Sequence, residues 1–338
     1  MNVRRPRALL VMDPASFAEQ FHEPQLRRLS ELAEVGDPVS TADLDTPEAR
    51  RALRAAEVLV TSWGCPPLTA ERLADAPRLR AVFHCAGSVR GFATDEVWRR
   101  GLLVTSAAGE NAIPVAEFTL AAIILAGKKA PFLAQDARRH RENWPYPAHR
   151  GELSNRGRTV GVVGFSRVGR RVVDLLRVLE LGEVLVADPY ADADEVRAAG
   201  ARPVALPELL ARCDVLTLHV PALPATRHLI GAAELALLRD GATVINTARG
   251  SVLDTAALER KCAAGRIDAI LDVTDPEPLP AGSPLYDLPN VMLTPHVAGS
   301  LGSETRRLSE SALDELDRYV SGRPPRAAVT ADDLTVTA

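Results

Sequence analysis

TVGVVGFSRVGRRVVDLL (159–176) is the stretch on which the fold of this 338-residue chain turns. An apolar run ends at Gly164, and a helix-like pattern begins near Arg167. Gly164 and Gly169 take the first and third glycine places of G-x-G-x-x-G. The first permits a tight turn, and the third permits close packing of helix on strand. Ser166 stands at the middle place, where the backbone must approach a pyrophosphate. Serine is small, and its hydroxyl can donate to phosphate. The helix N-terminus adds free N–H groups and the positive end of its dipole.

Reading outward, a second apolar run ends on an acid, Asp188 in VLVADPY, 24 positions after Gly164. A carboxylate there suits the adenosine ribose hydroxyls of NAD and repels the 2′-phosphate of NADP. The competing reading is a glycine-bearing turn in an unrelated α/β protein, with Asp188 a turn-former before Pro189. The strand–turn–helix–strand–acid context favours the dinucleotide.

Short apolar runs continue in two series. The first is RALLVMD (7–13), EVLVTS (57–62), AVFHCA (81–86) and LLVTS (102–106). The second is TVGVVG (159–164), EVLVAD (183–188), DVLTLHV (214–220), ATVINTA (242–248), DAILDV (268–273) and VMLTPH (291–296). Runs of this length suit strands buried on both faces of a parallel sheet. Helix-like stretches at 167–179, 206–212 and 255–264 lie between them, the last with Asp254 as its N-cap. The alternation predicts an α/β fold of two Rossmann-like, doubly wound domains. ENAIPVAEFTLAAIILAGKK (110–129) reads as one long helix, with Pro114 in its first turn. RRHRENWPYPAHRGELSNRG (138–157) reads as irregular, its arginines a solvated face or an anion or partner patch. An amphipathic helix from about Ser303 to Val320 can return to the first block. The expected division is therefore 1–109 with 298–338 as a discontinuous substrate domain, and 110–297 as an inserted NAD-binding domain.

Composition narrows the classes. A formal charge of −4 from 40 basic and 44 acidic residues argues against a nucleic-acid binder. The longest apolar run, Phe118–Gly127, is about half of what a membrane span needs, so no membrane association is expected. The apolar stretch before Asp13 is too short for a signal-peptide core. Four cysteines scattered singly give no metal spacing, and the expectation is a reduced, cytoplasmic protein.

Three residues sit just past the ends of predicted strands: Arg249 after ATVINTA, Glu277 after DAILDV, and His296 after VMLTP. Ligands bind at that edge of an open parallel sheet. Together they suit hydride transfer at a 2-hydroxy or 2-oxo acid. Arginine holds a carboxylate bidentately. Histidine can take or give the hydroxyl proton near neutral pH. A carboxylate beside the imidazole orients it and favours its protonated form. Singly, each also reads blandly: a loop ion-pair partner, an exposed residue of a Pro-rich turn, a strand-end histidine.

The chain resembles the D-isomer-specific 2-hydroxyacid dehydrogenase family, which includes phosphoglycerate, glycerate, D-lactate and formate dehydrogenases. The likeness runs from about Ala81 to Pro325. It is carried by NAIPVAEFTLAAIILA (111–126), GRTVGVVGFSRVGRRV (157–172), DVLTLHVPALPATRHLIG (214–231), VINTARGSVLDTAAL (244–258) and LDVTDPEPLPAGSPLYDLPNVMLTPHVAGS (271–300). The resemblance, more than the spacing, gives weight to Arg249, Glu277 and His296 as the catalytic arginine, acid and histidine. It implies cofactor contacts from Arg167, Val168, Asp188, Pro221, Thr247 and Ala248, with Asp272 near the nicotinamide amide. It also implies a homodimer.

The family's glycine-rich substrate loop falls on CAGSVRGF (85–92), where Gly87, Ser88 and Val89 would offer N–H groups to the substrate carboxylate. The usual acid is missing there. Arg90 either meets an extra anionic group on the substrate or points to solvent. His84 and His219 lie in apolar runs and read as core groups. Formate dehydrogenases of the family pair the histidine with glutamine, so Glu277 disfavours formate. The expected activity is NAD-dependent interconversion of a D-2-hydroxy acid and its 2-oxo acid. The alternatives are an NAD(H)-sensing, corepressor-like regulator and an NADP-linked hydroxypyruvate or glyoxylate reductase.

Overall fold

Thirteen strands are seen among residues 5–141 and 146–336, which the computed structural model describes. They are β1 (Arg7–Val11), β2 (Glu34–Thr41), β3 (Val58–Thr61), β4 (Ala81–His84), β5 (Leu103–Ser106), β6 (Thr159–Val163), β7 (Glu183–Ala187), β8 (Arg202–Pro203), β9 (Val215–Leu218), β10 (Thr243–Asn246), β11 (Asp268–Leu271), β12 (Val291–Leu293) and β13 (Ala328–Val329). The chain divides into two compact units, one of 1–112 with 300–338, the other of 113–299.

The first unit holds a six-stranded sheet in the order β13-β5-β4-β3-β1-β2. All pairs are parallel except β13 on β5, where Ala328 faces Thr105. Alternation along the strands makes two cores. Leu9, Val11, Leu59, Val82 and Val104 pack on one face, and Ala8, Leu10, Val58, Val60 and Phe83 on the other. The helix Thr305–Val320 closes the second face with Ala312, Leu313 and Leu316. Burying each leucine is worth about 1.5–3 kcal/mol, so this late helix belongs to the first unit's core. The Tyr319 ring meets Phe83 edge-on at 5.7 Å.

The second unit holds a seven-stranded parallel sheet in the order β12-β11-β10-β9-β6-β7-β8. Strand order reverses around β6, the strand that leads into the glycine turn. Val160, Val162, Ile245 and Ile270 pack on one face, and Leu216, Leu218, Val244, Ala269 and Leu271 on the other.

Some expectations need correcting. The long helix spans Ala108–Gly127, so Pro114 lies inside it rather than in its first turn. By length and composition this helix could cross a membrane, which the shorter apolar run did not suggest. Here its Ala116, Ala122, Ile123 and Ala126 lie in the core of the second unit. The helix at 167 stops at Leu175, followed by a 3-10 turn. In 138–157, Arg138 and Arg139 end the helix Ala130–Arg139 and a 3-10 turn covers Tyr146–Arg150; residues 142–145 lie outside the described residues. Arg150 is no part of an open basic patch, because it pairs with the buried Asp136 at 2.7 Å. Strands β2, β8 and β13 escaped the sequence reading.

Candidate active site

The turn after β6 is built around its glycines. Gly164 has φ +94, and a Cβ there would lie 2.8 Å from the carbonyl carbon of His219. A Cβ on Gly169 would lie 2.0 Å from the Gly164 carbonyl oxygen. No larger residue fits either place without movement of backbone. The helix Arg167–Leu175 starts at this turn with Ser166 as its N-cap. The Ser166 hydroxyl donates to the His219 carbonyl at 2.8 Å and accepts from Gly169 N at 3.4 Å. That hydroxyl is therefore engaged with the protein, contrary to the expected donation to phosphate. What the turn offers an anion is main-chain N–H. Arg167 is exposed, while the Val168 side chain packs toward the core. His219 sits beneath the turn, and its buried Nδ1 has no hydrogen-bond partner among the described residues. A cradle that a Cβ would fill, opening on a helix N-terminus, fits a dinucleotide.

Asp188 directly follows β7, beside the turn. Its Oδ2 accepts from Phe165 N at 2.7 Å, and its Oδ1 accepts from Tyr190 N at 2.9 Å. The carboxylate is thus a local turn-former and a fixed acceptor beside the glycine turn.

The loops after β10, β11 and β12 carry the other charged groups. His296 Nδ1 and Glu277 Oε1 are 2.6 Å apart. A carboxylate accepts, so this contact assigns the ring proton to Nδ1 and leaves Nε2 as the other ring nitrogen. Asp272, 2% exposed, holds the histidine loop. Its carboxylate accepts from Thr294 Oγ1 at 2.6 Å, Val297 N at 2.8 Å and Ala298 N at 2.9 Å. The family resemblance implies Asp272 near a nicotinamide amide, but the sequence did not show this use. Arg249 donates from Nη1 to the Ala248 carbonyl at 2.6 Å, and its other N–H groups make no hydrogen bond among the described residues. The protein around its guanidinium lowers its pKa, and the Glu277 carboxylate opposes that; the group stays a cation. Gly250 presses the arginine loop against the next one. A Cβ there would lie 1.9 Å from the Thr274 carbonyl oxygen. Arg249, Glu277 and His296 therefore share one region of the second unit. A cavity of about 810 Å³ opens beside Glu277 and His296, lined also by Thr274, Leu279, Tyr286 and Met292; Arg249 does not line it.

Thr247 Oγ1 meets Thr119 Oγ1 at 2.9 Å, and Pro221 follows β9 with its carbonyl accepting from Thr226. In the first unit, Gly87 and Ser88 are half-buried in the loop after β4, and Val89 is in the core. Arg90 donates to the Leu334 carbonyl, so it does not simply point to solvent. His84 and His219 are buried beside Thr61 and Thr217, as read from the sequence. Thr119, Asn246 and Gly250 went unremarked. Only the glycine of ARG carried any local signal.

A family model described as "D-isomer specific 2-hydroxyacid dehydrogenase, NAD binding domain" matches residues 120–298. The chain belongs to the D-isomer-specific 2-hydroxyacid dehydrogenase family, and the matched region is its NAD-binding domain. Among its relatives is a D-3-phosphoglycerate dehydrogenase of Archaeoglobus fulgidus, 33% identical over 78% of this chain and 50% of that protein. A glyoxylate reductase of Aeropyrum pernix is 32% identical over 78% of this chain and 80% of that protein. The chain spans little more than half the length of the phosphoglycerate dehydrogenases it matches first. A solved structure of a Thermus thermophilus protein superposes with TM-score 0.77 at 29% identity, covering 96% of this chain and all of the other.

Proposed function

We propose that the protein is an NAD-dependent oxidoreductase that interconverts a D-2-hydroxy acid and its 2-oxo acid. The 2.6 Å pairing of His296 with Glu277, in the region that also holds Arg249, carries this reading. The nicotinamide, when bound, exchanges hydride with C2 of the acid. In reduction, His296 Nε2 gives its proton to the oxygen on C2; in oxidation, it takes that proton back. Glu277 keeps the imidazole in one tautomer and faces the imidazolium with a negative charge. Arg249 binds the carboxylate through its remaining N–H groups. Gly87, Ser88 and Val89 add backbone donors to that carboxylate. The turn from Gly164 to Gly169, with Ser166, Arg167 and Val168, receives the pyrophosphate. Asp188 binds the ribose hydroxyls and disfavours NADP, because a 2′-phosphate would face a carboxylate already fixed by two N–H groups. Pro221, Thr247, Ala248 and Asp272 serve the nicotinamide half. Residues 110–297 act as the nucleotide domain, and 1–109 with 298–338 as the substrate domain. The working form is a cytoplasmic homodimer.

The test is a panel of small 2-oxo acids, phosphorylated and dicarboxylic ones included, with NADH and then NADPH. Steady loss of NADH absorbance with at least one acid is expected, with slower loss for NADPH. Tight NADH binding without turnover on any acid would overturn the reading and favour a nucleotide sensor. Light scattering in solution tests the dimer.

A further inference from the structure

Arg249 and His296 follow β10 and β12, and β11 lies between those strands. Three hydrogen bonds link them through Asn246, one from its side-chain amide and two between main chains. The Arg249 carbonyl accepts from Asn246 Nδ2 at 3.0 Å. The Asn246 carbonyl accepts from Asp272 N at 3.0 Å, and the Asp272 carbonyl accepts from His296 N at 3.0 Å. Asn246, the last residue of β10, is wholly buried. Its Oδ1 also accepts from Ala248 N at 3.0 Å. Both ends of its amide are therefore engaged by the loop that carries Arg249.

We propose that Asn246 is a positioning residue for substrate recognition: it sets the Arg249 guanidinium without touching the acid. The proposal rests on the reading of Arg249 as the carboxylate anchor. The Arg249 side chain is indexed to its own loop, because Nη1 holds the Ala248 carbonyl. Asn246 in turn fixes the N–H of Ala248 and the carbonyl of Arg249. Only a side chain that donates at one end and accepts at the other, at this reach, can do both. Ionised aspartate only accepts, serine is too short, and leucine does neither. Gly250 fixes the far side of the same loop by contact with Thr274 and Asp275. A small shift of this backbone moves the guanidinium fork off a planar carboxylate, and bidentate binding tolerates little misplacement.

The experiment uses the full chain with Asn246→Ala and Asn246→Asp. It measures kcat and KM for the best 2-oxo acid, the NADH dissociation constant by fluorescence, and Tm. In Asn246→Ala, KM should rise about tenfold while kcat changes less than about threefold and NADH binding less than about twofold. Asn246→Asp, which keeps the acceptor for Ala248, should fall between this variant and the parent. A general loosening would raise KM and the NADH dissociation constant together, and that result overturns the proposal. So does a folded variant whose KM moves less than about twofold. If Asn246→Ala does not fold, Asn246→Asp decides by the same criteria. A parent protein that reduces no 2-oxo acid would instead refute the dehydrogenase reading, and this proposal with it.

Discussion

His296 has φ +55, a left-handed backbone that few non-glycine residues adopt. Such a conformation costs about 1–3 kcal/mol and persists where the surroundings hold it. Here they do, because Asp272 binds Thr294, Val297 and Ala298 on either side of the histidine. The strained backbone aims one imidazole at one carboxylate. His296→Ala should lower kcat by about 10²–10⁴ and leave the NADH dissociation constant within a small factor. Glu277→Gln keeps an acceptor for Nδ1 and loses the charge, so kcat should fall less than in His296→Ala. Steady-state kinetics with a fluorescence titration of NADH checks both. Equal loss of turnover and nucleotide binding would mean that the pair supports the fold rather than the chemistry. Arg249, Glu277 and His296 were legible in the sequence as polar residues just beyond apolar runs. Asn246 was not, since an asparagine ending a strand has no partner until its loop folds back on it.

At the scale of elements, strand ends and the loops between them make the site. The ten apolar runs of the sequence all correspond to strands; nine of these lie inside their sheets, flanked on both sides and so apolar on both faces, while the tenth, β12, ends its sheet. The three that escaped, β2, β8 and β13, are edge strands of their sheets. An edge strand pairs on one side only and tolerates charge and proline, so it need not show an apolar run; β12, the fourth edge, does show one. EVGDPVST (34–41) and the Arg202–Pro203 pair have this character. Gly250 shows how one loop seats another. Gly250→Ala places a methyl against the Thr274 carbonyl, and overpacking of this kind costs about 1–3 kcal/mol. Relief must come from separating the Arg249 loop from the loop of Glu277. Its kcat/KM should therefore fall about tenfold or more, with a lowered Tm. Measured at saturating NADH, an unchanged kcat/KM would show that these loops need not touch.

Over the whole molecule, each unit buries one neutral histidine. Burial brings the pKa of His84 and of His219 down from 6.5 to about 3. The folded value lies below the unfolded one, so the unfolded chain takes up these protons first. The stability that goes with neutral histidines is complete above about pH 6.5 and drains as the pH falls toward 3. At pH 5 the loss amounts to about 2 kcal/mol per histidine. Urea unfolding at pH 7, 6 and 5 should show a falling midpoint; a flat profile would refute this account. The chain's plan was partly legible as well. The helix Thr305–Val320 reads as amphipathic, and its leucines complete the first unit's core.

The sequence by itself determined the alternation of strand and helix and the glycine turn with its distant acid, and it set Arg249, Glu277 and His296 after apolar runs, their weight as a site coming from the family resemblance. These rest on short-range physics: the period of apolar side chains and the room that a glycine leaves. Only the tertiary structure decided that β11 lies between β10 and β12, and hence that Asn246, Asp272 and His296 share hydrogen bonds. Only it committed the Ser166 hydroxyl to His219 and Arg90 to the Leu334 carbonyl. Such contacts depend on strand order and loop closure, and a local pattern carries no record of which distant backbone atom a side chain will meet.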